Sequence, residues 1–254
     1  MLLQEFDPNP TAVINPAAMH QPIAGCPKTA VSCFERSTFG RMVERLGGKP
    51  FALTSCANLE VPVYRAAYKG KEIALYESYV GAAGCVGMLE DLFALGVERL
   101  VLFGTCGALD PALKDCGIII PTAALRDEGT SYHYAPPSDE IEVNTKYREE
   151  FIEILRRHDC AYTMGKAWTT DAFYRETPDK MARRRAAGCV CVDMECSAVA
   201  ALAWFRQKEV FQFFHVSDNL GGGDWEAWSL GQEKNISGKD KAALLALELA
   251  AEIS

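Results

Sequence analysis

The chain has 254 residues, of which 49% are hydrophobic and 24% charged, enough apolar material for one large buried core. Its formal net charge is −8 and no cluster of lysine and arginine interrupts that acidity, which argues against a nucleic-acid polymer as partner. No apolar run approaches the roughly 20 residues of a membrane-spanning helix, and Met1 to Pro22 lacks the basic and apolar regions of a secretion signal. The expectation is a cytoplasmic protein with no membrane partner.

In chain order, Met1 to Pro22 reads as an irregular arm, because Pro8, Pro10, Pro16 and Pro22 oppose helix and sheet alike. Thr29 to Phe34 is a short apolar strand leading to a helix over Phe39 to Leu46, which Gly47 and Gly48 stop. Strands follow at Val61 to Tyr68 and Glu72 to Tyr79, joined by the turn Lys69-Gly70-Lys71. The small residues Gly81 to Gly84 open a helix that runs to Leu95 and closes at Gly96. Leu100 to Phe103 is an unbroken apolar strand suited to a sheet covered on both faces.

Gly117 to Pro121 predicts another strand, and Thr145 to His158 an amphipathic helix with Tyr147, Phe151, Ile154 and Leu155 at helical spacing. Gly165 to Thr169 and Cys189 to Met194 are strands; Ser197 to Gln207 is a helix; Val210 to Val216 is the last strand; Lys239 to Ile253 is an Ala/Leu-rich final helix. Strands alternating with helices predict a single three-layer α/β domain over residues 1–254, with a central mixed, largely parallel sheet flanked by helices. The ten cysteines show no zinc-knuckle spacing and read as reduced core residues, so neither metal nor cofactor is expected.

Ligand sites in such sheets lie beyond the carboxyl ends of strands, and three segments there carry chemistry. Gly104-Thr105-Cys106-Gly107-Ala108 follows an apolar strand directly. Its glycines would let backbone N–H groups approach an anion and Thr105 would add a hydroxyl donor, although a plain strand-to-loop turn has the same composition. Asp193-Met194-Glu195 ends another strand, where one carboxylate can accept from two adjacent ribose hydroxyls. Acidic residues at a helix N-terminus explain Asp193 and Glu195 equally well. Ser217-Asp218 ends the last strand, where Asp218 serves either as a proton donor to a bound base or as a helix cap.

The order of these pieces carries more than any one of them. Ala67-Tyr68-Lys69-Gly70-Lys71, Gly81, the Gly104 to Ala108 segment, Glu128 to Tyr134, Thr170-Asp171-Ala172-Phe173-Tyr174, Asp193-Met194-Glu195 and Val216-Ser217-Asp218 follow one another at separations that resemble the nucleoside phosphorylases of the purine and uridine type. The resemblance implies the phosphorylase/hydrolase-like fold and a pentosyltransferase that cleaves a nucleoside with phosphate as co-substrate. It places Met194 and Glu195 on the ribose, Phe173 against the base, Asp218 at N7 of a departing purine, and Gly104 and Thr105 on phosphate. His20, in the arm, would reach the ribose of a neighbouring subunit, which with the arm's apolar residues Leu2, Leu3, Phe6, Val13 and Ile14 implies a homo-oligomer, a hexamer built of dimers. Glu128 to Tyr134 and Tyr174-Arg175-Glu176-Thr177 lean toward the uridine branch and Asp218 toward the purine branch, which is slightly favoured.

Three departures bear on phosphate. Leu102 and Leu59 stand where the family carries arginines, and Phe34-Glu35-Arg36 replaces its Gly-Asp-Pro turn. Losing two guanidinium groups removes charge-assisted contacts to phosphate; Arg36, near the missing turn, reads as the replacement, with Arg175 as the alternative. Two alternatives stay open: a nucleosidase that uses water, with Glu35 near the place of the activating glutamate, and a non-catalytic nucleoside-binding protein.

Overall fold

In the computed structural model, residues 2–57, 59–222 and 224–254 are described, and Met1 of the arm lies outside them. A 3-10 turn at Leu2–Gln4 and one helical turn, α1 (Pro16–Met19), precede β1 (Thr29–Cys33), α2 (Arg36–Leu46), β2 (Lys49–Cys56), β3 (Leu59–Tyr68) and β4 (Lys71–Glu77). Next come α3 (Ala82–Ala94), β5 (Arg99–Ala108), β6 (Ile118–Asp127), β7 (Glu140–Glu142), α4 (Arg148–Arg157) and β8 (Tyr162–Thr170). The chain continues through α5 (Pro178–Ala186), β9 (Cys189–Asp193), α6 (Cys196–Arg206), β10 (Glu209–Asn219), β11 (Glu226–Ala227) and α7 (Ile236–Ile253).

The arm is less irregular than its prolines predict. Pro16 opens α1, where a missing N–H costs nothing because the first turn has no partner for it. Phe6 then lies against the rings of Trp204 and Phe205 on α6, at 6.1 and 6.3 Å between centroids.

All strands belong to one mixed sheet, flanked by helices on both faces. The pairings β1–β4, β1–β5, β5–β10, β6–β8 and β8–β9 are parallel. Hairpins at the margins and two short contacts, β6–β10 and β5–β9, are antiparallel. Those two contacts close β5, β10, β6, β8 and β9 into a ring, from which β1, β4, β3 and β2 extend.

Two strands are longer than their apolar runs predict. β5 continues through Gly104 to Ala108, and β10 through Ser217 to Asn219, because each is the other's partner along that whole stretch. The glycine-containing segment is therefore strand and not a loop. Val101, Phe103, Phe211 and Phe213 face a core closed by α2, α4 and α7. Leu100 and Leu102 face the opposite way, into a core under α3 and α6. The ten cysteines are free, and seven of them are buried, among them Cys33, Cys85, Cys106 and Cys191. No helix among the described residues is long and apolar enough to cross a membrane.

Candidate active site

β5 has one continuous edge and one divided edge. Along the first lies β10, residue for residue from Arg99 to Ala108 apart from a bulge at Ser217. Along the second, β1 covers Arg99 to Phe103 and β9 covers only Gly107 and Ala108. Gly104 to Cys106 are left without a strand on that side. β1 and β9 run in opposite directions along this edge, so their carboxyl ends converge on the gap from either side, and β4 ends beside β1. Cys33, Ser78, Asp193 and the residues after them thus meet where two neighbouring strands part.

Asp193 and Glu195, indistinguishable as acids in the sequence, have separate duties here. The Asp193 carboxylate accepts from the backbone N–H of Glu195 at 2.9 Å and of Cys196 at 2.6 Å, and from the Thr169 hydroxyl at 2.8 Å. It caps α6 and fixes the turn. Burial raises its pKa to about 6. Glu195 turns away from the helix, and its Oε1 accepts from the N–H of Gly81 at 2.5 Å. Gly81 has φ 96°, a conformation that side-chain-bearing residues rarely adopt and that presents this N–H to the gap. Glu195 is 8% exposed, and burial first, then the neighbouring Asp193 charge, raises its pKa to about 8. Met194, half-buried, sits between the two carboxylates.

Asp218 lies within β10, so it caps no helix. Its Oδ1 accepts from the Ser217 hydroxyl at 2.9 Å and its Oδ2 from the Trp225 indole N–H at 2.9 Å. The register sets it opposite Gly107, whose other neighbour is Val192 of β9. Asp218 and the Asp193-to-Glu195 turn therefore flank the same short stretch of β5. Trp225 is a partner that no local pattern announces, since β11 must fold back on Asp218 and Asn219 to deliver it. Phe173, in a 3-10 turn after β8, is 50% exposed, with Tyr174 at 4.1 Å between ring centroids. Glu176 follows directly; burial and then the charge of Asp218 raise its carboxyl to about 7.

Thr105 is half-buried at the gap. Gly104 is glycine for a local reason: a Cβ there would stand 2.7 Å from Cδ2 of Phe34, whose ring covers it. Leu102 is 2% exposed in the core under α3 and α6, and Leu59 packs against that core. Arg36 opens α2 with a side chain 88% exposed, its Nε 3.4 Å from the Glu77 carboxylate. His20 ends α1 with Nε2 3.4 Å from Asp91 of α3 in the same chain. Among the described residues no group of three His, Cys, Asp or Glu side chains converges as a metal site. A groove of about 520 Å³ lies elsewhere, bordered by Trp204 of α6, by Gln207 just past its end, and by Ile141 and Val143, and includes none of these residues.

The family model described as the phosphorylase superfamily matches residues 38–251. The chain is 25% identical over 183 residues to a guanosine phosphorylase of Halorubrum lacusprofundi, covering 72% of this chain and 76% of that one. It is 24% identical over 164 residues to a purine nucleoside phosphorylase of Brevibacillus brevis, covering 62% and 68%. Its fold matches a uridine phosphorylase of Vibrio fischeri (TM-score 0.77, 22% identity, 91% of this chain and 95% of that). It also matches a purine nucleoside phosphorylase of Toxoplasma gondii in complex with immucillin-H (TM-score 0.78, 20% identity, 91% and 92%).

The raised Glu195 carboxyl has a consequence for stability. Folded, it keeps its proton up to about 8; unfolded, it loses it near its ordinary 4.5. The folded state thus binds more protons across that window, and stability falls as pH rises from about 4.5 to about 8. Replacing Glu195 by Gln removes this dependence, so the melting temperature of Glu195→Gln relative to wild type should rise between pH 5 and pH 8. Parallel melting curves of the two proteins across that range would show that Glu195 is not a buried carboxyl.

Proposed function

The chain belongs to the phosphorylase superfamily, and on that premise we propose that it is a pentosyltransferase that cleaves the N-glycosidic bond of a nucleoside with phosphate, purine nucleosides being preferred. The observation that carries this reading is the placement of two buried carboxyl groups of different kind, Glu195 after β9 and Asp218 on β10, flanking Gly107 next to the stretch Gly104 to Cys106 where β5 lacks a neighbour. Glu195, anchored by the Gly81 N–H, accepts from the two ribose hydroxyls. Their donation shifts it from the protonated form that burial favours to the ionised one, and as an anion it grips harder as positive charge develops on the sugar. Met194 lines the sugar beside it, and the exposed Phe173 ring packs against the base.

Asp218 protonates, or hydrogen-bonds through, N7 of the departing purine, turning a poor leaving group into a neutral one. Glu176 adds another carboxyl on the base side, raised to about 7 by burial and the charge of Asp218, so that protonated and ionised forms are both populated at neutral pH. Thr105 and the backbone at Gly104 receive phosphate, with Arg36 able to swing from Glu77 at the mouth. A dimer-based homo-oligomer, with His20 serving a neighbour's ribose, belongs to the same proposal.

A second reading, hydrolysis by water, is favoured by one specific observation. The phosphate side of the gap is poor in free positive charge, since Leu102 is buried, Phe34 covers Gly104, and Arg36 is turned to Glu77. Turnover of a nucleoside panel with and without phosphate separates the two. Phosphorolysis predicts base release that saturates with phosphate and yields pentose 1-phosphate; equal rates without phosphate, with free pentose as product, would establish hydrolysis.

Asp218→Ala should lower kcat for purine nucleosides by about 10²-fold or more, the size of a lost general acid, and should do much less to a nitrophenyl riboside. Glu195→Ala should damage both substrates alike, because both carry the same sugar. Intact purine turnover in Asp218→Ala, with uridine the better substrate, would replace the purine reading by the uridine one.

A further inference from the structure

One rung of the sheet below Asp218 stands a polar side chain that the reaction outlined above leaves unused. In the parallel register of β10 on β5, Phe213 lies opposite Phe103, His215 opposite Thr105 and, past the bulge, Asp218 opposite Gly107. Paired residues of neighbouring parallel strands project to one face, and so do residues two apart along a strand. Phe103 and Phe213 stack at 5.6 Å between centroids in the core under α7. His215 therefore shares the Thr105 rung, between that apolar core and the rung of Asp218.

His215 is 1% exposed, and neither ring nitrogen has a hydrogen-bond partner. Buried polar atoms are nearly always satisfied, so an imidazole orphaned at both nitrogens beside a candidate site marks a place for a hydrogen-bonding guest. Burial lowers its pKa to about 4, with Lys239 pushing the same way and Glu35 and Asp115 opposing. At neutral pH the ring is thus uncharged, with one nitrogen a donor and the other an acceptor. The neighbouring charges are already engaged. Lys239 bonds the Glu35 carboxylate and the Gln232 carbonyl, the Thr38 hydroxyl donates to Glu35 at 2.5 Å, and Asp115 accepts from Ser229 and Asn235.

We propose that His215, with the Thr105 hydroxyl beside it, seats the nucleophile of the reaction, an oxygen species bearing an O–H: hydrogen phosphate or water. The inference rests on the reading of this gap as a glycosidic-bond-cleaving site. The acceptor nitrogen takes the nucleophile's O–H and so turns an oxygen lone pair toward the sugar carbon; no proton leaves in this step. A neutral donor–acceptor pair from β10 then does the positioning that Leu102 and Leu59 are too apolar to do.

The test compares wild type with His215→Phe and His215→Asn, using a purine nucleoside that wild type turns over and varied inorganic phosphate. If phosphate is the nucleophile, His215→Phe should raise the KM for phosphate about 10-fold or more while the KM for nucleoside stays put. If water is the nucleophile, kcat should fall by about the same factor at unchanged nucleoside KM. His215→Asn, which keeps a donor and an acceptor, should recover part of the loss. Should His215→Phe not fold, His215→Asn against His215→Leu carries the same comparison. Wild-type phosphate KM and kcat in a folded His215→Phe would overturn the proposal. So would a loss shared equally by nucleoside KM and melting temperature, which is the mark of a packing role. A wild type that cleaves no nucleoside defeats the functional reading itself, before any variant is compared.

Discussion

The divided edge of β5 is the constraint on which the rest of the molecule depends. A strand inside a sheet normally has both edges paired throughout, because each unpaired backbone group away from water is costly. Here β10 satisfies one edge fully, and β1 and β9 share the other from opposite ends. What they leave open at Gly104 to Cys106 is a short polar opening in an otherwise apolar sheet. Glu195 reaches it from the end of β9, Gly81 from the end of β4, and Asp218 and His215 from the continuous neighbour β10.

Burying carboxylates at such a place is expensive unless each finds partners. Asp193 is satisfied by the start of α6 and by Thr169, so its role is to hold the turn. Glu128 is similarly engaged, accepting from Ser197 at 2.8 Å and from the Ser131 N–H at 2.9 Å. Glu195 is held by backbone N–H groups, Gly81 foremost at 2.5 Å and Met194 beside it, and its raised pKa records the cost of the desolvated position that a sugar's hydroxyls would relieve. Structural acids are saturated and the acid assigned to the sugar is not.

Much of this was legible in the sequence, and the omissions have physical reasons. Apolar runs and their periodicity located the interior strands and the amphipathic helices, and the order of motifs identified the family. β2 escaped because it is mostly exposed and carries Pro50, and α5 because it buries no face. The extension of β5 through Gly104 escaped because glycine and threonine there read as a turn, and only the length of β10 keeps them extended. At the site, local composition could not separate Asp193 from Glu195; the difference lies in which one reaches Gly81 across the fold. Trp225 and His215 depend on long-range register, which no local pattern encodes.

Crystallographic soaking or co-crystallisation with a purine nucleoside tests the account most directly, because it asks what the open stretch of β5 is for. The account predicts the ribose hydroxyls on Glu195, the base against Phe173, and N7 within hydrogen-bond reach of Asp218. A nucleoside bound instead in the groove beside Trp204, with the Gly104 to Cys106 opening vacant, would contradict it.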